Sequence, residues 1–176
     1  MLFDPRILVM FGANALLFYL CSLVNSSLAA LPSYLILLGP MLIFPSLFLQ
    51  QRSHFICILL SGLWVDAALP VPFGFFTCAF LVISSGIYLF RSRFRSEHNY
   101  HPVLLAQTVN LFLILLLTLS NGLPELKTAH FWLQSGLTLL LSQLCLLIVA
   151  PWFFNLQRAL FELFRMDREP QDMPLL

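Results

Sequence analysis

Charge is what this chain has least of. Only 10% of its residues are Asp, Glu, Lys or Arg, whereas soluble domains carry about 25%. Sixty per cent are apolar, and the mean hydropathy is +0.90. A 176-residue chain of this kind cannot present a water-compatible surface, so lipid must be its solvent. No stretch is left over for a water-soluble domain of useful size. Nucleic acid is excluded as a partner too, because no basic patch is interleaved with an aromatic platform.

Other shortages narrow the chemistry. The four cysteines, Cys21, Cys57, Cys78 and Cys145, sit singly in different apolar runs, and no C-x-x-C pair occurs. They read as small packing residues. There is no H-E-x-x-H, no G-x-S-x-G and no P-loop. His54, His98, His101 and His130 lie at the ends of apolar runs or in loops, where they cannot gather around one metal. Paired carboxylates are missing from the apolar runs. Nothing calls for a cofactor, and the expectation is a protein that is not an enzyme.

What is present is a series of apolar runs, each near the length of about 20 residues that a crossing needs. They fall at about 7–24, 34–49, 55–69, 75–90, 102–119 and 131–154. Threaded as six crossings, they put every arginine on one side and the sole lysine, Lys127, on the other. Cytoplasmic loops carry the excess of Lys and Arg. The fold class expected is therefore all-α integral membrane with six transmembrane helices, 1–154, and both termini in the cytoplasm. The third and fourth runs form either a full hairpin or a pair that dips in and returns, and both leave Arg52 and Arg91 on the same side; a full hairpin is favoured because exposed broken backbone at membrane depth needs cover from protein or water. The first run, preceded by Arg6, is expected to be a retained signal anchor.

Prolines and polar breaks punctuate the series. Gly39-Pro40 and Pro45 should kink the second run, because a helix-interior proline removes a backbone bond. Gln50 to His54 reads as a short inside turn, and Pro70-Val71-Pro72-Phe73-Gly74 separates the third run from the fourth. Phe73, Phe75, Phe76 and Phe80 surround that break, with Trp64 on the preceding run, as an apolar groove or an interfacial aromatic belt. Gln107 and Asn110 share a helix face, which suggests an interhelical hydrogen bond. From Asn155 to Met166, Leu156, Leu160, Leu163 and Phe164 recur at helical spacing, as in an amphipathic helix along the inner interface, 155–166. The remainder, 167–176, is expected to be disordered.

Asp66 is the sharpest residue, the sole acidic side chain within the six runs. Two readings stay open. A carboxylate at membrane depth is a functional candidate by default. One turn from Pro70, it is equally an interfacial group that caps the broken backbone around Phe73-Gly74.

The run from Gly62 to Gly74, GLWVDAALPVPFG, resembles the core motif of the MreD family, rod shape-determining membrane proteins of bacteria. That family shows a glycine, an aspartate four residues on, a short small-residue turn, and a proline-x-glycine. Here these are Gly62, Asp66, Pro72 and Gly74. Pro70 departs from the Ser- or Gly-rich turn often found there. The resemblance implies a non-enzymatic scaffold of the bacterial inner membrane. It implies a single-span MreC-type partner, and through it the elongation transpeptidase and glycosyltransferase pair and the MreB filament, in support of lateral peptidoglycan synthesis. It also implies a fold like that of the substrate-binding subunits of energy-coupling-factor vitamin transporters, and such a subunit is the alternative function. The candidate partner-binding residues are Gly62, Asp66, Ala67, Ala68, Pro72, Phe73, Gly74 and Phe76.

Overall fold

Asp4 starts the first helix. Its backbone is extended, its side chain accepts from the Arg6 amide at 3.0 Å, and Pro5 follows at the first helical position. An N-cap carboxylate and a proline with no amide to satisfy are favoured at such a start. A computed structural model describes residues 4–28, 33–91, 100–122 and 129–164. Over these residues the chain is helical, in the order α1 (Pro5–Ser27), α2 (Gly39–Phe48), α3 (Gln51–Ala68), α4 (Phe75–Leu89), α5 (Tyr100–Gly122) and α6 (Ala129–Leu163). The expected disordered tail, 167–176, lies outside the described residues.

Helices α1, α5 and α6 are long and apolar enough to cross a membrane. The distribution of side chains is inside out relative to a soluble protein. Ile148, Leu89 and Val82 are 79%, 78% and 74% exposed, while Asn14, Ser46, His54, Asn110, Ser142 and Gln157 are all fully buried. Water would not tolerate that apolar exterior. Lipid cannot satisfy those polar groups, so they turn inward to one another. The chain is built as a membrane protein.

The shortest helix lies at the centre. Every residue of α2 from Gly39 to Leu47 is buried, with α5, α4, α3 and α6 packed around it. The approach to α5 is close. A Cβ on Gly39 would collide with the Ala106 carbonyl and come within 2.9 Å of Asn110 Cβ.

The second apolar run departs from the kinked helix expected of it. Ser33–Leu38 is not helical at all. Irregular backbone in lipid needs protein partners, and it has them. The Asn25 side chain pairs with Leu35, accepting from its amide at 2.6 Å and donating to its carbonyl at 2.8 Å. Ser142 Oγ accepts from the Ile36 amide at 3.0 Å. Asn110 donates to the Ile36 carbonyl at 3.0 Å and accepts from the amides of Leu38 and Gly39 at 2.9 and 3.1 Å. Asn110 is thus the N-cap of α2, supplied from another helix.

Two further differences concern the ends of helices. The inside turn read as Gln50–His54 is shorter. Helix α3 begins at Gln51 and takes His54 into its first turn. The sixth run does not stop at Phe154, since α6 continues unbroken through Pro151 and Asn155 to Leu163. Its last turns pack rather than lie apart. Gln157 and Phe161 are buried, and the Phe161 ring stacks on Phe44 of α2 at 5.6 Å. Leu163 and Phe164 remain exposed.

Candidate functional site

The hairpin of α3 and α4 carries the residues singled out in the sequence. The two helices meet at Gly62, where an added Cβ would lie 2.7 Å from Thr77 Cα. Any side chain there would push against backbone, so glycine is what lets α3 and α4 approach this closely. Small residues serve the same purpose wherever helices associate in lipid.

The connection is a tight turn. The Phe75 amide donates to the Pro72 carbonyl at 3.1 Å, and Gly74, at the third position, has φ 96° and ψ −8°. That is the left-handed region, open to glycine at no steric cost. Gly74 then serves as the N-cap residue of α4, but it has no side chain to satisfy the first amides.

Asp66 supplies what Gly74 lacks. Its Oδ2 accepts from the amides of Gly74 and Thr77 at 3.1 and 3.0 Å and from Thr77 Oγ1 at 2.6 Å. Its Oδ1 accepts from the Phe76 amide at 2.8 Å. The residue is 4% exposed. A carboxylate at a helix N-terminus also meets the positive end of the α4 dipole. Of the two readings of Asp66, the geometry is that of the cap. All four bonds tie the last turn of α3 to the first turn of α4.

The motif residues divide into two sets. Gly62, Asp66 and Phe76 face inward, and Gly74 is half-buried. Ala67, Ala68, Pro72 and Phe73 are exposed, with Phe73 at 74%. Placing Phe76 on a partner-binding surface is therefore corrected. The residue is fully buried, edge-on to Phe75 and Phe80, and belongs to the core. Nor do the aromatic residues line one groove, because Phe80 is buried and Trp64 packs edge-on against Phe11 of α1 at 6.1 Å. Among the cysteines, Cys21 and Cys57 are buried, Cys78 is exposed, and all four are free thiols.

Three polar clusters that sequence reading did not assemble support this hairpin. Asn14 of α1 donates to the Met41 carbonyl at 3.1 Å and to Ser61 Oγ at 3.0 Å, and accepts from Gln157 Nε2 at 3.4 Å. It thereby joins α1, α2, α3 and α6. Asp4 Oδ2 accepts from Ser53 Oγ at 2.9 Å, tying the start of α1 to that of α3. His54 is fully buried, with Nε2 3.2 Å from Ser46 Oγ and its ring parallel to Tyr88 at 5.1 Å. The Arg91 guanidinium in turn lies 4.3 Å from the Tyr88 ring centroid. Gln107, grouped with Asn110 in the sequence, turns to α6 instead. It donates to the Gln143 carbonyl at 3.0 Å, and Gln143 donates back to the Gln107 carbonyl at 3.2 Å. The signal for these clusters is in the sequence as isolated Asn, Ser and Gln within apolar runs, but nothing local says which pairs with which.

The described residues contain no group of His, Cys, Asp and Glu able to hold a metal ion. Comparison with protein-family models, with curated proteins and with solved structures finds no match.

Proposed function

We propose that this chain is a non-enzymatic scaffold of the bacterial inner membrane, of the MreD type. It holds a single-span, MreC-type partner and so supports the peptidoglycan-synthesising machinery of cell elongation. The observation that carries this reading is the hairpin of α3 and α4. Asp66 spends both of its oxygens within the protein, closing a rigid turn, and leaves an apolar rim of Ala67, Ala68, Pro72 and Phe73 on the outside. Small residues beside an exposed aromatic suit close packing against another helix in lipid. In this reading the chain crosses six times, the second time as the non-helical segment 33–38 plus α2, with both termini in the cytoplasm. The arginines support that orientation.

Cysteine crosslinking from Ala68 and Phe73 to a single-span partner tests the docking face. Adducts from both positions, and none from buried Phe76, are expected. Adducts confined to α5 or α6 would remove the hairpin as the docking face. Reporter fusions after Leu176, Arg95 and Leu126 test the topology, with cytoplasmic signals expected from the first two and an external signal from the third. Purification with a bound vitamin and no such partner would favour the transporter-subunit alternative.

A further inference from the structure

Loops that emerge into water are polar, but the turn between α3 and α4 has no polar side chain. From Ala67 to Phe76 the chain reads AALPVPFGFF. Its amides ask little of water either. Those of Leu69, Val71 and Phe75 donate to the carbonyls of Val65, Leu69 and Pro72. Those of Gly74, Phe76 and Thr77 donate to Asp66. Pro70 and Pro72 have no N–H to place. Among the described residues of the turn, Phe73 alone has an amide without a partner.

The arms that lead to the turn are short. Both start from polar residues on one side, Gln51 and Arg52 on α3 and Arg91 after α4. The apolar part of α3, from Phe55 to Ala68, is about 21 Å long at about 1.5 Å per residue, and the 15 residues of α4 span about 22 Å. A hydrocarbon core is about 30 Å thick.

Contacts with α1 set the level of the turn. Asp4 meets Ser53 and Asn14 meets Ser61, so α1 and α3 run side by side in step. Ala68 follows Ser61 by as many residues as Cys21 follows Asn14. Beyond Cys21, α1 still presents Leu23 and Val24, 48% and 43% exposed, before it reaches Asn25. The turn therefore stands where α1 still faces lipid. Its rim continues the lipid-facing surface that Val82 and Leu89 form along α4.

We infer that the turn ends in the outer leaflet and not in water, with Ala67, Ala68, Pro70, Pro72 and Phe73 against lipid acyl chains. The inference rests on the membrane topology proposed above and sets the depth at which its third and fourth crossings end. Broken backbone at that depth is tolerated where protein covers it, and Asp66 is the cover. A soluble domain cannot reach this rim. A partner meets it through a segment that lies in the bilayer and displaces lipid.

The test uses the full chain in phosphatidylcholine vesicles with no partner present, so its outcome is separate from that of the crosslinking experiment. A nitroxide is attached at Ala68→Cys or Phe73→Cys, with Cys21, Cys57, Cys78 and Cys145 replaced by alanine. Both positions are exposed, so the label leaves the core in place. Collisions with oxygen, which concentrates in lipid, are compared with collisions with a nickel chelate, which stays in water. Val82→Cys, on the lipid face of α4, and Ser26→Cys, at the polar end of α1, give the two limits. The oxygen-to-nickel ratio at 68 and 73 should lie several-fold above that at Ser26→Cys. A ratio equal to that at Ser26→Cys overturns the inference. The unmodified protein gives a second reading through the unpartnered amide of Phe73. Lipid cover should slow its exchange with deuterated water by an order of magnitude or more, whereas exchange at the rate of a free amide overturns the inference without any variant.

Discussion

The side-chain amide of Asn14 lies 3.1 Å from the Met41 carbonyl, the acceptor that Pro45 leaves without its helical donor. A proline in the central helix thus creates a need in lipid, and a side chain on α1 meets it.

The pairing predicts a rescue. Asn14→Ala leaves a buried carbonyl unsatisfied and should cost about 1–3 kcal/mol in unfolding free energy. Pro45→Ala restores the N–H at position 45. In that background Asn14→Ala should cost less by about 1 kcal/mol. Unfolding in detergent of the two single variants and the double variant measures the coupling. Full additivity would contradict the account of Pro45.

Asn110 should matter more than its neighbour Gln107. Asn110 makes three bonds to backbone that has no helical partners, whereas Gln107 exchanges bonds with carbonyls already in helices. Asn110→Ala should destabilise by about 2–3 kcal/mol and Gln107→Ala by about 0.6 kcal/mol. Protease cleavage between 33 and 38 should accelerate only in the first.

Two glycines of the hairpin should fail for different reasons. Gly74→Ala meets no neighbouring atom but carries left-handed strain, about 1–2 kcal/mol. Gly74→Asn should recover much of that loss, since asparagine tolerates this region. Gly62→Ala meets the Thr77 backbone, and no choice of side chain relieves it. Thermal unfolding midpoints should therefore rank wild type above Gly74→Asn, then Gly74→Ala, with Gly62→Ala lowest of the alanine pair.

Asp66→Ala should cost about 2 kcal/mol by stripping α4 of its cap. Asp66→Asn keeps one acceptor oxygen, which can take the place of Oδ2, and should cost roughly half as much with insertion retained. Thr77→Val loses a single 2.6 Å bond. Combined with Asp66→Ala it should add little, because its acceptor is already gone. Unfolding of the purified variants decides the order.

Hydropathy made the long helices legible. Runs of twenty apolar residues have one common solution in lipid, and α1, α4, α5 and the body of α6 lie near where the runs placed them. It could not separate helix from irregular chain at 33–38. An apolar stretch reads the same either way, and what decides is whether distant Asn25, Asn110 and Ser142 reach its backbone. Nor could it tell lipid-facing from core-facing phenylalanine. Phe73 and Phe76 have similar sequence surroundings and opposite fates, because in a membrane both the exterior and the core are apolar. Asp66 was legible as a residue that must act, since its charge demands partners. Those partners are amides at the start of a helix that begins nine residues later, so its task as a cap became plain only with the turn in place.

The non-helical segment 33–38 also sets an order of events during synthesis. Asn25 holds Leu35, but the segment's other amides and carbonyls are met chiefly by Asn110 and Ser142, which follow their partners in the chain by 72 to 108 residues. When the ribosome has finished α2, neither exists. The segment cannot settle in the hydrocarbon layer at that moment, because its open peptide groups would face lipid tails. It has to wait in the insertion machinery or at the bilayer surface until α5 and α6 arrive. Under the topology proposed above, membrane integration of this segment and α2 is then posttranslational, and a nascent chain stalled before Asn110 should leave a cysteine introduced at Leu37 open to water-soluble thiol reagents.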